Sequence, residues 1–532
     1  MLRLARPCRS LRSISLARSA VRNVSSNAKN NSLLSQVPAL QQQPAFTLPS
    51  RCIRILNQPR DFYNTLINMI QNAKRRILIS SLYIGTEETE LINTLDEALS
   101  RNPTLTAHLL LDLNRSTRLE SRSPIPSTAH LLAPLKEKYG HRLSVQMFRS
   151  PKLRGFMEHI VPPRFNEGWG TWHAKLYAAD DDFMISGANL NSSYFSDRQD
   201  RYVHISSQPE IVKYLSNFLS TLSHSSYRLV SPDGPNIGLP VNPPFSQSPQ
   251  DQAYRLEWCN DQAHPRGYQP EANKAINELQ NSTYSSQASE SRASDHDTVI
   301  YPLIQSGVLG VREEEMALSS LFDYLLSNAP QAEKDRTIVD LTSGYFALYE
   351  PYQLRAMREG LDWRILAASP KANGFYGSRG VSGRIPEGYT LLEQRFWTRV
   401  LRAGRQWREN GGGVALSEWY REAWTYHAKG IWITPQARAP SQQGKPSPPR
   451  NPSITLFGST NLNSRSANLD TELSFLLETT SPVLQARLGE EVRHLWKDSE
   501  RMNEDAWAKQ GRKVGGVSLG TKAIMSVVGD ML

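Results

Sequence analysis

Cysteine is scarce in this chain. Cys8, Cys52 and Cys259 are the only three in 532 residues. They form no CxxC pair and no Cys/His cluster, which excludes a disulfide framework and a thiolate zinc site. Long apolar runs are also missing. No stretch approaches the roughly 18 uninterrupted apolar residues of a membrane span, so any membrane contact is expected to be peripheral. The segment SSLYIGTE lacks the lysine of a P-loop and reads as the end of a strand. Acidic residues are absent from the first sixty positions, the first being Asp61. Residues 1–36 hold Arg3, Arg6, Arg9, Arg12, Arg18, Arg22 and Lys29 without one acid. These seven account for most of the net charge of +10, since 54 basic residues then face 51 acidic ones. A nearly balanced body argues against nucleic acid as a partner. The leader MLRLARPCRSLRSISLARSAVRNVSS is rich in Arg and Ser and has no continuous apolar core. That composition marks residues 1–36 as a mitochondrial presequence.

The rest of the chain repeats itself. TWHAKLYAAD near residue 173 returns as TYHAKGIWIT near residue 427, about 250 residues later. In the first half, Phe62, Leu66, Met69 and Ile70 recur at helical spacing ahead of the compact apolar strand RRILISSLYI. In the second, Leu318, Leu321, Phe322 and Leu325 precede the strand RTIVDLTSGYF. A helix and a further strand follow in each: ELINTLDEALS and LTAHLLLDLN, then PYQLRAMREG and LDWRILAAS. Alternating strands and helices predict an α/β sheet in each half. The predicted organisation is a first half over 37–228, a Pro- and Ser-rich linker or insertion over 229–298, and a second half over 299–532. Glu313–Glu315 reads as the solvated first turn of a helix. PQARAPSQQGKPSPPRNPS lengthens the second copy and reads as a hairpin insert.

WHAKLYAA and YHAKGIWI read as strands with His and Lys two apart, on one face. GANLNS and GSTNLNS follow, and eleven residues after Asn189 and Asn461 come the acids Asp200 and Glu472. Two imidazoles facing each other can divide a two-step displacement. One attacks an electrophile, and the other handles the proton of the leaving and entering groups. Lys175, Lys429, Asn189 and Asn461 would supply cations and donors for an anionic phosphoryl group. Asp200 and Glu472 would each orient a histidine through its second ring nitrogen. No metal and no cofactor are expected, because the lysines provide the positive charge.

The paired HAK and Asn-Leu-Asn segments resemble the phospholipase D superfamily. The first copy completes its HxKxxxxD motif with His173, Lys175 and Asp180, the second has Thr434 in place of the last Asp, and the resemblance implies His173, Lys175, Asp180, His427 and Lys429 as the catalytic set. The resemblance implies two α/β halves related by a pseudo-twofold, with the active site at their interface and a phosphohistidine intermediate. It implies His173 as nucleophile and His427 as general acid/base, with the reverse assignment left open. PRFNEGWGTWHAKLY, SGANLNSSYFSDRQDRY and KANGFYGSRGVSGRIPEGYTLLEQRFW narrow the resemblance to a phosphatidyltransferase branch, over most of residues 50–500. That branch implies CDP-diacylglycerol as donor, glycerol 3-phosphate as acceptor and the mitochondrial inner membrane surface as workplace. The alternatives are a hydrolase of the same superfamily and an inactive lipid-binding scaffold. Arg115, Arg118, Gly374, Gly377 and Arg379 are candidate contacts to phosphate, CMP or glycerol 3-phosphate. Lys152, Leu153, Arg154, Phe156, Met157, Ile160 and Val161, and the tail GGVSLGTKAIMSVVGDML, are candidate membrane contacts.

Overall fold

The computed structural model describes residues 32–120, 123–154, 166–232, 253–287, 295–330, 336–408, 411–435, 450–512, 514–518, 520–522 and 525. Most of the presequence, Phe156–Val161, most of the hairpin insert and much of the C-terminal tail lie outside them.

The strands Arg76–Ser80, Thr106–Asp112 and Leu143–Phe148 run parallel, joined through the helices Thr89–Arg101 and Thr128–Tyr139. Most of their residues are apolar, as expected of strands covered on both faces. Beyond Arg76–Ser80 the sheet continues antiparallel through Leu176–Ala179, Asp182–Ser186 and Tyr202–Ile205. The second half repeats that order of six: Val414–Trp419, Leu361–Ala368, Thr337–Ser343, Gly430–Thr434, Ile454–Gly458 and Thr471–Thr479. The two expected α/β halves are therefore present.

The boundaries differ from the sequence reading in three places. Within the predicted linker, Arg255–Trp258 pairs with Tyr227–Val230 and extends the first sheet. The helix Gln269–Gln287 buries Ala272, Ile276 and Leu279. Pro and Ser dominate the average composition there, while a few buried residues such as Tyr254 and Trp258 decide the structure. Leu34, at the end of the predicted presequence, and Val37 and Leu40 just beyond it are buried in the second half's core. The amides of Leu33 and Leu34 donate to Glu478 at 2.9 Å each. Phe46–Leu48, assigned to the first half, pairs with Thr298–Ser306 of the second sheet. The Glu313–Glu315 turn is not solvated as a whole. Glu313 and Glu314 are buried, and desolvation pushes both carboxyls up to about 7. Glu313 accepts hydrogen bonds from Ile304 N and Gln280 Nε2.

One apolar core spans both halves, beside a second that belongs to the second half. Phe183 of the first packs on Phe475 of the second, with centroids 6.2 Å apart, and Phe475 stacks on Phe457. Arg201 crosses from the first half into the second. Its guanidinium lies 4.0 Å above the Trp432 ring and bonds both oxygens of buried Glu491, at 2.7 and 2.9 Å. Its remaining donors reach Leu456 O and Thr455 Oγ1. Gly430 makes room for it, since a Cβ there would sit 2.6 Å from Arg201 Nη1, and its φ of +149° also favours glycine. This accounts for HAKG in the second copy where the first has HAKL.

Candidate active site

Each HAK tripeptide precedes its strand rather than lying within it. The strands begin at Leu176 and Gly430. The lead-in is stretched between its own sheet and the opposite half. Thr425–Tyr426 pairs in parallel with Arg198–Gln199, and Trp172 bridges to Thr471. His173 N donates to Thr471 O at 2.9 Å, and His427 N to Gln199 O at 2.8 Å. The backbone of each histidine is thus fixed by the partner half.

The side chains cross as well. His173 Nδ1 donates to Glu472, at 2.9 and 2.8 Å from its two oxygens. His427 Nδ1 donates to Asp200 Oδ2 at 2.6 Å. Each acid is thus placed against the histidine of the other copy. With the proton on Nδ1, Nε2 carries the lone pair needed for attack or base catalysis. Among the described residues His173 Nε2 has no hydrogen-bond partner. His427 Nε2 faces Lys429 Nζ at 3.3 Å.

All six groups are buried. Burial and Lys429 lower Lys175 to about 7, and burial lowers Lys429 to about 8. Burial, Lys429 and Arg198 hold His427 neutral. Burial pushes Asp200 up to about 7 against the nearby lysines. On the other side burial would raise Glu472, but the facing His173 and Lys175 outweigh it and hold the carboxyl down to about 2. The Oδ1 atoms of Asn189 and Asn461 are buried without a hydrogen-bond partner. Asn189 Nδ2 donates to Tyr194 Oη at 3.1 Å, so that amide is partly engaged by the fold, and only an amide N–H, not Oδ1, can donate to a phosphoryl oxygen.

His173, Asp470 and Glu472 bring ligand atoms within 4.8 Å of one another. Glu472 already accepts from His173, Ser459 and Ser466, and Asp470 from Thr171 and Arg465. That donor set forms a network that orients an imidazole and leaves little for a metal ligand shell.

Asp180 is not in the site. It occupies the turn after Leu176–Ala179 at φ +53° and accepts from the amides of Lys74, Arg75 and Arg76. Its motif position is a cap for the neighbouring strand, which explains why Thr434 can replace it. Of the outer candidates, Arg115 lies 4.0 Å over the Tyr83 ring, and Arg118 is bonded to Glu167. A Cβ on Gly374 would lie 3.0 Å from Tyr345 Oη and 3.5 Å from Arg198 Nη2, so this residue borders the site. Gly377 is a left-handed turn residue at φ +74° in open space, and Arg379 is exposed; nothing ties either to the histidines. Leu153 is buried, so the one described apolar residue of the expected membrane patch faces inward.

Sequence reasoning missed Arg198 and an aromatic rim. Tyr194 and Tyr345 stand edge-on to the His427 ring at 5.2 and 5.4 Å. Arg198 lies 4.3 Å over the Tyr194 ring. One signal was available: aligning the two copies on their acids puts Arg198 opposite Asp470, a reversal of charge two residues before the orienting carboxylate.

Residues 66–222 match a family model described as cardiolipin synthase, PLD-like domain. A protein of Dictyostelium discoideum named as a probable CDP-diacylglycerol–glycerol-3-phosphate 3-phosphatidyltransferase is 34% identical over 496 residues, covering 92% of this chain and 79% of its own. The mitochondrial protein of that name from Gallus gallus is 32% identical over 493 residues, covering 88% and 82%. The Schizosaccharomyces pombe protein named CDP-diacylglycerol–glycerol-3-phosphate 3-phosphatidyltransferase is 31% identical over 492 residues, covering 86% and 91%. Among solved structures, phosphatidylserine synthase of Haemophilus influenzae superposes with a TM-score of 0.64 over 96% of this chain and 98% of that one. At 18% identity this is a likeness of fold.

Proposed function

The chain belongs to the CDP-diacylglycerol–glycerol-3-phosphate 3-phosphatidyltransferase family, and from that premise we propose how its two dyads carry the reaction. The enzyme transfers the phosphatidyl group of CDP-diacylglycerol to glycerol 3-phosphate, giving phosphatidylglycerophosphate and CMP. In the proposed mechanism His173 Nε2 attacks the lipid-side phosphorus. The bond to CMP breaks, and a phosphatidyl-histidine remains. The primary hydroxyl of glycerol 3-phosphate then attacks that phosphorus, its proton passes to His427 Nε2, and His173 is released. Lys175, Lys429 and the amides of Asn189 and Asn461 hold the nonbridging oxygens as charge builds on them.

The observation that carries this division of roles is the difference between the two Nε2 atoms. That of His173 is unoccupied and its ring is backed by an ionised carboxylate, which suits a nucleophile that becomes cationic. His427 is held neutral beside Lys429, which suits a resting base. A phosphate is a good leaving group and needs little protonation, whereas an alcohol must lose its proton. A neutral His427 therefore matters most in the second step.

The donor is a bilayer lipid, and no described helix is long and apolar enough to cross a membrane. We place the enzyme on the matrix face of the mitochondrial inner membrane, as a peripheral protein at the start of phosphatidylglycerol and cardiolipin synthesis. The vertebrate relatives' names and the acid-free leader support the compartment. The test is CMP release by residues 32–532 from CDP-diacylglycerol in mixed micelles, with and without glycerol 3-phosphate. Acceptor-dependent release with phosphatidylglycerophosphate as product, lost in His173→Ala, is expected. Acceptor-independent release giving phosphatidic acid would identify a hydrolase. No release from folded, lipid-bound protein would identify a scaffold.

A further inference from the structure

The two sides of the site are built on the same plan and differ in one charge. On the His173 side, Thr171 Oγ1 donates to Asp470 Oδ1 at 2.9 Å. On the His427 side, the equivalent Thr425 accepts at Oγ1 from Arg198 Nε, at 3.0 Å. Asp470 is neutralised by Arg465, whose Nε lies 2.8 Å from its Oδ2. Arg198 has no such partner: among the described residues no carboxylate lies within ion-pair distance of it. It is half-buried, faces tyrosine rings, and meets solvent at the edge of the site. An arginine in such surroundings keeps its charge, so the His427 side carries a standing, uncompensated cation.

Two further features keep that cation available. Its Nε is committed to Thr425, which fixes the plane of the guanidinium and leaves the terminal nitrogens as a fork. Gly374 borders the fork. Any larger residue there would press on Tyr345 Oη and close on Arg198 Nη2. Gly374 is exposed, so the residue beside the fork meets solvent.

We propose that Arg198 is the specificity-determining residue for the acceptor and receives the phosphate monoester of glycerol 3-phosphate. The inference rests on the assignment of His427 as the base for the acceptor hydroxyl. An acceptor whose hydroxyl meets His427 must extend its other end along the His427 side. Lys175 and Lys429 are occupied by the phosphoryl group in flight, so the second phosphate needs a cation of its own. Arg198 is that cation. The His173 side has Asp470, already paired with Arg465, in the matching place, and so offers no free cation there. A site that pairs a half-buried arginine with phosphate discriminates against a neutral alcohol of similar size, because the arginine is left unpaired when that alcohol binds.

The experiment compares glycerol 3-phosphate with glycerol as acceptor, and water as a third reference through phosphatidic acid formation. It uses wild-type protein, Arg198→Met, Arg198→Lys and Gly374→Val. Wild-type enzyme is expected to prefer glycerol 3-phosphate over glycerol by about 1,000-fold or more in kcat/KM. In Arg198→Met that preference is expected to fall by about 100-fold, mostly through the KM for glycerol 3-phosphate, and the share of phosphatidic acid is expected to rise. Arg198→Lys should recover part of the preference. Gly374→Val should raise the same KM with the charge intact, which guards against a folding defect in the arginine variants. Equal losses with glycerol 3-phosphate, glycerol and water would overturn the proposal and make Arg198 a support for His427. Wild-type protein that forms no phosphatidylglycerophosphate would instead overturn the functional reading beneath it.

Discussion

Replacing Glu472 by Gln removes one charge from the site and almost nothing else. The two Glu472 oxygens lie at 2.9 and 2.8 Å from His173 Nδ1. An amide oxygen can therefore still accept the Nδ1 proton, and the serines at 459 and 466 can turn to meet the amide nitrogen. The imidazole should keep its tautomer and position. What disappears is the carboxylate facing a ring that becomes cationic when Nε2 bonds to phosphorus. Unit charges about 4 Å apart interact by about 4 kcal/mol at an effective dielectric near 20. That corresponds to roughly 1,000-fold in rate. Glu472→Gln is expected to lower kcat for CMP release by about that factor, with the KM for CDP-diacylglycerol little changed. Acid-quenched enzyme should hold correspondingly less phosphatidyl-histidine. Rapid-quench assays with lipid labelled in the phosphatidyl group, alongside a thermal melt to confirm folding, measure both. A loss of less than tenfold in folded protein would refute the argument, since the carboxylate would then only position the ring.

Three other outcomes follow from the geometry. Asp180→Ala removes the acceptor for three amides and should cost about 1–3 kcal/mol in denaturant unfolding, with kcat changed no more than about threefold; a loss near 100-fold in folded protein would return Asp180 to the catalytic set. Lys175 and Lys429 titrate near 7 and 8 in the free enzyme and act when protonated. The active form therefore dominates below those values and is lost above them. The kcat/KM for CDP-diacylglycerol should decline between about pH 7 and 8, and a flat profile to about pH 9 would contradict the assignment. Arg201→Met leaves the buried Glu491 unpaired and should cost about 3–5 kcal/mol, most of it regained in Arg201→Met/Glu491→Leu; a single variant within about 1 kcal/mol of wild type would show that the pair does not hold the halves together.

Much of this site is legible in the sequence because the chemistry is local there. A histidine and lysine two residues apart, an asparagine on the next turn and an acid eleven residues later must keep their spacing whatever surrounds them. The crossing of Glu472 to His173 and of Asp200 to His427 is not legible, because it depends on how two sheets dock. Arg198 and Arg201 sit in SDRQDRY, which has the composition of a solvated loop, yet one borders the active site and the other is buried in the opposite half. Asp180 shows the converse: membership in a motif does not say whether a residue serves chemistry or a turn. Glu313 and Glu314 were misread because the start of a helix is solvated only when nothing packs on it. The strand and helix inside the predicted linker are not legible because composition averages over residues, while Tyr254 and Trp258 act singly.

The exchange of carboxylates between the halves has a consequence for how such a site can change. In a symmetric pair of identical half-length chains, any substitution beside one histidine would be imposed on the other. A useful arginine at one position would bring a second, unwanted one with it. One continuous polypeptide removes that constraint, because positions 198 and 470, or 176 and 430, can vary independently. Mutual dependence keeps both copies indispensable while sequence independence lets them specialise. On the proposed assignment the result is a site with a direction, in which one face takes up the lipid phosphate and the other admits the alcohol that will carry it away.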